Sequence, residues 1–358
     1  DSLPQIEDWT WYLDKMFRSG GDVENLNTAA KQAAIDLNDP NYKANMVIMI
    51  PGIESKCVNF GTLNGRTLNL SVEADWKYLL DWYIHEITSY VEKGQYDHIN
   101  FKGFYWLNED GGYTRNIIEY AADKVHETGT YFYWIPFYFG SGALWSRDLG
   151  FDATALQPNH FFADPGDDKG YGADGTKQVI NAAKLASYAN IGIEIECDER
   201  MLTDPTRYNQ YLDYLNASVE NGFGGRDVYR NWYNGVRTFG AAARSTIPKV
   251  RNLYDYTYQM IKGNLTEKIP YITTLSGEGD GYHPVVSGSC ASGGGTATPT
   301  KPTAPFVPEK PSAEKFVWEK TSGGWKLKGN DGKYVTGWKK IDGLWFYMNA
   351  DGVMQKGW

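Results

Sequence analysis

Glu194 and Glu196 stand in the run Ile191-Gly192-Ile193-Glu194-Ile195-Glu196-Cys197-Asp198-Glu199, where isoleucine falls at every second position. As a strand, this run puts Ile191, Ile193 and Ile195 on one face and Gly192, Glu194 and Glu196 on the other. A half-exposed antiparallel strand shows the same alternation, with its polar face in water. The surrounding segments argue against that, because strand-like and helical stretches alternate and point to an α/β barrel whose helices cover the outer face of every strand. The polar face then looks inward, where two carboxylates are costly unless they are paired, hydrogen-bonded or used in chemistry. A further acid ends another strand-like run, 99–109, which closes on Asn108-Glu109.

The elements that must position these acids follow from the hydrophobic pattern. Strand-like runs fall at 46–52, 99–109, 131–138, from about 153 to 160, at 191–199 and at 227–233. The first, Met46 to Ile50, is continuously apolar and fits a strand buried on both faces. Helical stretches span 7–37 with a break at Ser19-Gly20-Gly21, then 72–93, 116–128, 177–188, 205–220 and 253–260. The spacing suits parallel βαβ units, so the expected fold of residues 1–290 is α/β, a (β/α)8 TIM-type barrel. Six strands are present where a closed barrel has eight, and the simplest account puts the first two upstream of residue 1. Counted that way, the strand ending in Glu109 is the fourth and the strand bearing Glu196 the seventh.

The totals narrow the partners. A formal net charge of -9 on 358 residues argues against a nucleic-acid partner, which needs basic surface to neutralise phosphate. Thirteen Trp and 26 Tyr give many flat apolar faces with polar edges, although most of the tyrosines are expected to fill the core. Cys57, Cys197 and Cys290 are too few and too scattered for a disulfide framework or a zinc site; one bridge leaves one thiol unpaired. With no His-Glu-x-x-His motif and five scattered histidines, no metal and no cofactor are expected. Asp164-Pro165-Gly166-Asp167-Asp168 with Asp174 could hold calcium, but its spacing is not that of an EF-hand, and it reads as a solvated loop. No apolar run is long enough to insert into a membrane, and Asp1-Ser2-Leu3-Pro4 is not a signal peptide, so a secretion signal would lie upstream.

From Trp9 to about Gly263 the chain resembles a secreted bacterial family known only as a domain of unknown function. The resemblance lies in Trp-Tyr-Leu-Asp (11–14), Ile-Pro-Gly (50–52), Gly-Phe-Tyr-Trp (103–106), Gly-Phe-Asp (150–152), Gln-Pro-Asn (157–159) and Gly-Ile-Glu-Ile-Glu (192–196). More loosely, Asn108-Glu109 closing strand four and Glu196 closing strand seven resemble the retaining (β/α)8 glycoside hydrolases. That resemblance implies Glu109 as acid/base, Glu196 as nucleophile and Asn108 in support, one carboxyl holding a proton near neutral pH and the other ionised. Glu194, deeper on the same face, is expected to support Glu196; if the strand ends one pleat earlier, the two exchange roles. Asp198 and Asp110 are alternates on the loops beyond. Trp106, Trp134, Tyr138, Trp145 and Trp232 are candidate sugar platforms, and Gln157, Asn159, His160 and Asn231 candidate hydroxyl ligands. A core role weighs about evenly for each.

Residues 291–313 are rich in Gly, Thr and Pro and read as a linker. In 314–358, Trp325, Asp331, Gly332, Gly337 and Trp338 recur twenty residues on as Trp345, Asp351, Gly352, Gly357 and Trp358. This pattern of β-hairpins closely resembles the cell-wall-binding repeats of choline-binding proteins and glucan-binding enzymes. The resemblance implies a cell-wall choline or glucan ligand at Trp338, Trp345, Tyr347, Met354 and Trp358, with cation–π attraction in the choline case. Two units are short for a solenoid, so more are expected beyond residue 358. Together these readings lead to the expectation of a secreted, surface-attached glycoside hydrolase acting on a carbohydrate substrate. The rivals are a non-catalytic glycan-binding or adhesion protein and a cell-wall lytic enzyme.

Overall fold

A computed structural model describes residues 3–112, 114–163, 176–225, 228–277, 316–321, 324–329, 331–341, 344–349 and 351–354. The chain forms two compact units, Asp1–Cys290 and Ala291–Trp358. The calcium-loop candidates Asp164, Asp167, Asp168 and Asp174, the linker and Trp358 lie outside the described residues.

The first unit opens with helices α1 (Ile6–Phe17) and α2 (Asp22–Asp36). In α1, Ile6, Trp9, Leu13 and Met16 recur at helical spacing and are all buried. A reciprocal cap between Gln5 and Asp8 starts this helix. Strand β1 (Ala44–Ile50) follows, then a hairpin of β2 (Gly61–Leu63) and β3 (Arg66–Leu68). Its turn is Asn64-Gly65, with φ of 51° and 81°, the twist that suits a two-residue hairpin. The chain then alternates: α3 (Glu73–Lys93), β4 (Ile99–Trp106), α4 (Arg115–Glu127), β5 (Tyr131–Trp134), β6 (Ala153–Leu156), α5 (Thr176–Ala189), β7 (Gly192–Glu196), α6 (Pro205–Asn221), β8 (Arg230–Tyr233), α7 (Thr238–Ala243) and α8 (Pro248–Ile261). Single 3-10 segments at Ala143–Leu149 and Glu199–Leu202 fill the β5–β6 and β7–α6 connections.

The six long-range strands pair in parallel in the order β1-β4-β5-β6-β7-β8. Crossovers of one hand that always step to the next strand curl such a sheet and put its helices on one side. The sheet is accordingly a half-barrel. Its helix-covered side holds two cores. Ile48, Ile50, Phe104, Trp106, Phe132 and Trp134 meet α1, α3 and α4 in one, and Leu156, Ile193 and Ile195 meet α5, α6 and α8 in the other.

The opposite, inner face follows from the register. Met49 pairs with Tyr105, Tyr105 with Tyr133, Tyr133 with Ala153, Ala155 with Gly192 and Glu194 with Asn231. Strand β1 departs from the both-faces-buried expectation: Met46, Ile48 and Ile50 are buried but Val47 is 40% exposed. The reason is its place, since β1 is an edge strand and Val47 points to the inner face, away from the helices.

The second unit contains two antiparallel hairpins, β9 (Val317–Thr321) with β10 (Gly324–Lys328), and β11 (Gly337–Ile341) with β12 (Leu344–Met348). After each, an Asp-Gly pair turns the chain back on its own hairpin, with Gly332 and Gly352 at φ of 76° and 75°. The returning residues bridge Lys328 to Tyr334 and Met348 to Met354, twenty residues apart, so the repeat in sequence is a repeat in structure.

Candidate active site

Strand β7 is buried at all five positions, and its parity divides the work. Ile193 and Ile195 enter the helix-side core, which leaves Glu194 and Glu196 facing the other way. The two acids have different surroundings. Glu196 is fully buried, and its Oε1 accepts from Asn159 N at 3.1 Å. Its Oε2 accepts from His160 N at 2.9 Å and from the Tyr214 hydroxyl of α6. That hydroxyl is itself oriented, since its oxygen accepts from His160 N and Phe161 N, each at 3.3 Å. Asn159 has φ of 56°, the left-handed turn that lets successive main-chain N–H groups converge on one anion.

The loop that supplies these donors is fastened to α6. His160 Nε2 lies 2.7 Å from Asp213 Oδ2, and Arg207 Nη1 donates to Phe161 O and Ala163 O at 2.6 and 2.8 Å. Burial raises the Glu196 pKa above the carboxylate range, while the Tyr214 hydroxyl and the main-chain donors oppose it. Both oxygens face donors, the arrangement that an anion satisfies. Glu196, the expected nucleophile, is thus fully enclosed, with both oxygens held by the 159–161 loop and Tyr214. Glu196 differs from Glu194 in this engagement of both oxygens rather than in exposure, which is 0% and 3%.

Glu194 is 3% exposed, and Asn231 Nδ2 donates to its Oε1 at 3.2 Å. Its pKa is pushed up to about 8, first by burial and then by the charges of Glu196 and Glu109, with the Asn231 bond in opposition. It thus carries its proton at neutral pH. Glu109 stands three residues beyond the end of β4, on an exposed loop, and removal of water by its surroundings raises its pKa as well. Between them sits Tyr105, whose hydroxyl is held far above its usual value by burial and by the charges of Glu194 and Glu109.

The alternates Asp110 and Asp198 have local tasks. Asp110 accepts from Gly112 N at 2.8 Å and shapes the loop. At Asp198, partial burial acts to raise the pKa, but bonds from the Arg200 side chain and main chain outweigh it and hold the carboxyl below its usual range.

Three of the five proposed platforms, Trp106, Trp134 and Trp232, fall on the helix side by parity. Trp106 and Trp134 are 0% and 1% exposed in the helix-side core, Tyr138 is 2% exposed, and Trp232 packs against the second core. In β4 and β5 the tryptophans alternate with Tyr105, Tyr131 and Tyr133, and it is these tyrosines that take the inner face. Trp134 still serves the site: stacked on Phe151 at 4.7 Å, its Nε1 donates to Asn108 O at 2.6 Å and so holds the loop carrying Glu109. Asn108 thereby supports Glu109 through its main chain. Trp145 is 57% exposed and, with Phe139, Tyr138, Gly111 and Gly112, lines a cavity of about 540 Å³ behind that loop.

Of the proposed polar ligands, Asn231 and Gln157 share the inner face with Glu194. Asn159 and His160 are engaged with Glu196, and the buried His160 ring is turned to Asp213. The structure therefore joins Glu194 to Asn231, sets Glu109 within electrostatic reach of Glu194, and places Gln157 on the same face by strand parity. Sequence reasoning missed Tyr105, Tyr131, Tyr133 and Tyr229, although the parity of Tyr131-Phe132-Tyr133-Trp134 carried the signal. Gly192 carried another, since a Cβ there would lie 2.5 Å from Tyr229 Cδ1. Its lack of a side chain admits the ring beside Glu194.

In the second unit, Met354 is half-buried and bridges to Met348. The side chains of Trp338, Trp345 and Tyr347 lie outside the described residues. Among those described, the Lys326 ammonium stands 4.8 Å from the Tyr334 ring centroid, and Lys326 also donates to Asp351 O at 2.8 Å.

Residues 335–358 match the choline-binding repeat, which suggests attachment to cell-wall choline and association with a cell surface. No helix among the described residues is long and apolar enough to cross a membrane. No curated protein matches the chain. Residues 3–259, more than half of the chain, match the family described as "Domain of unknown function (DUF4855)", and the chain belongs to that family.

Proposed function

We propose that the chain is a secreted, surface-attached glycoside hydrolase in which Glu194 holds the catalytic proton and Glu109 supplies the second carboxyl. The observation that carries this reading is Glu194 itself, a buried carboxyl on the inner face of a parallel sheet whose pKa is pushed up to about 8. Such a group is protonated at neutral pH and suited to give a proton to the leaving glycosidic oxygen. Glu109, more open to water, is the group that ionises first. As a carboxylate it either attacks the anomeric carbon or takes a proton from the attacking water. The roles are thus reversed from those implied by the glycoside-hydrolase resemblance, because burial falls on the acid of β7. Asn231 orients Glu194, Gln157 and the inner-face tyrosines contact sugar, and the C-terminal repeats hold the enzyme on choline-bearing walls.

The choline-binding repeat favours a cell-wall polymer as substrate, so the test is a panel of soluble glycans together with purified cell walls. Reducing-end release by the parent chain that is lost in Glu194→Gln and in Glu109→Gln supports the proposal. Binding of a glycan by the parent chain with no turnover on any member favours a lectin instead.

A further inference from the structure

We propose that the inner face selects glycans carrying a protonated amine, held by the charge of Glu109 among the rings of Tyr105, Tyr133 and Tyr229. This rests on the reading of that face as a glycan site and names the substrate class. The first observation is that Glu109 makes no ion pair among the described residues. Between the β1/β4 bulge and the carboxyl ends of the strands, the inner-face positions bear acids and tyrosines but no Lys or Arg. Arg230, next to Tyr229, has the opposite parity and donates to Phe223 O at 2.9 Å. Glu194 takes only the Asn231 bond, and its Oε2 accepts no hydrogen bond among the described residues. Burial contributes most to the raised Glu194 pKa, and the charges of Glu196 and Glu109 add to it.

The second observation is the aromatic lining, which is independent of the acids. Tyr131 and Tyr133 meet edge to face at 6.4 Å, and Gly192 leaves room for Tyr229 to lie against β7. The Tyr133 hydroxyl is pushed up to about 12 by burial and by the charges of Asp152 and Tyr131, and Tyr229 is raised further by burial and its neighbours. These phenols stay neutral, so they offer π faces and hydroxyl donors to a ligand. An ammonium gains from both a carboxylate and a ring face, most where water is excluded. A uronate would meet the same field as repulsion. An ammonium beside Glu109 also offsets part of the field on Glu194, which leaves its proton easier to transfer.

The test is calorimetry on the full chain at pH 6 with glucosamine tetrasaccharide, its N-acetylated counterpart and a galacturonate tetrasaccharide. The expected result is binding of the amine form at least tenfold tighter than the acetylated form and no binding of the uronate. The preference should fall at least tenfold in Glu109→Gln and in Tyr229→Leu, the latter a ring packed beside Gly192 that keeps 40% exposure. Equal affinity for the amine and acetylated forms overturns the proposal, as does amine binding that survives both variants, which would locate it in the repeats. Turnover on the same panel separates the two ideas. Hydrolysis of acetylated or neutral glycans alone overturns the amine preference and leaves the hydrolase reading intact. Amine-selective binding without turnover does the reverse.

Discussion

Replacing Glu194 by Gln should stabilise the protein, and by an amount that depends on pH. An isolated glutamate ionises near 4.5, whereas Glu194 in the fold ionises near 8. Between these values the unfolded chain has released this proton while the folded chain keeps it, so the folded state binds more protons and its stability falls as pH rises. The loss begins near pH 4.5, grows through the interval and is complete above about 8, where both states are ionised. At 1.36 kcal/mol per pH unit, the interval from 4.5 to about 8 corresponds to about 5 kcal/mol. Because Glu194 is only 3% exposed, solvent screening takes little from that figure. Gln keeps the oxygen that accepts from Asn231 but has no charge to bury. Urea unfolding of parent and variant at pH 5 and at pH 9 measures the effect: the difference should be near its minimum at pH 5 and larger by several kcal/mol in favour of Gln at pH 9. A difference that is the same at both pH values would refute the reasoning, since it would mean that Glu194 ionises alike in the folded and unfolded chain.

Glu196→Gln should lower the Glu194 pKa by about 1 to 2 pH units, from a Coulomb energy of about 2 kcal/mol across two strand residues at an effective dielectric near 20; carboxyl-carbon NMR titration reads it, and an unshifted Glu194 resonance contradicts the assigned source of the field. Trp134→Leu should cost about 3 kcal/mol of stability and loosen the Glu109 loop, while Tyr133→Leu should leave stability nearly intact and weaken glycan binding; unfolding curves and calorimetry together check the contrast. Removal of residues 335–358 should abolish or sharply reduce retention on a choline-substituted resin without changing turnover of a soluble substrate.

Most of the six parallel strands were legible as short runs of β-branched, aliphatic and aromatic residues between helical stretches, and the β7 alternation named its inward acids directly. What failed was parity wherever both faces are aromatic. In Tyr131-Phe132-Tyr133-Trp134 and in Phe104-Tyr105-Trp106, tryptophan is the more apolar choice, and it went to the helix side while tyrosine kept its hydroxyl toward the open face. The sealing of Glu196 was not legible, because its donors come from the 159–161 loop and from Tyr214, which are distant in sequence. The hairpin at Asn64-Gly65 was legible in principle, as that dipeptide is a strong turn signal. A continuous apolar run also misled at β1, where an edge position exposes Val47.

The ammonium of Lys326 over the Tyr334 ring bears on how firmly the tail can grip a surface. That ring is approached by two lysines of its hairpin, Lys326 at 4.8 Å and Lys328 at 5.7 Å. A choline headgroup directed at this ring would compete with tethered rivals whose local concentration far exceeds its own. Hairpins in the array and vacancies for choline are therefore different numbers. If free aromatic faces rather than hairpins set attachment strength, a variant lacking both Lys326 and Lys328 should be retained more strongly on a choline resin without a single added repeat.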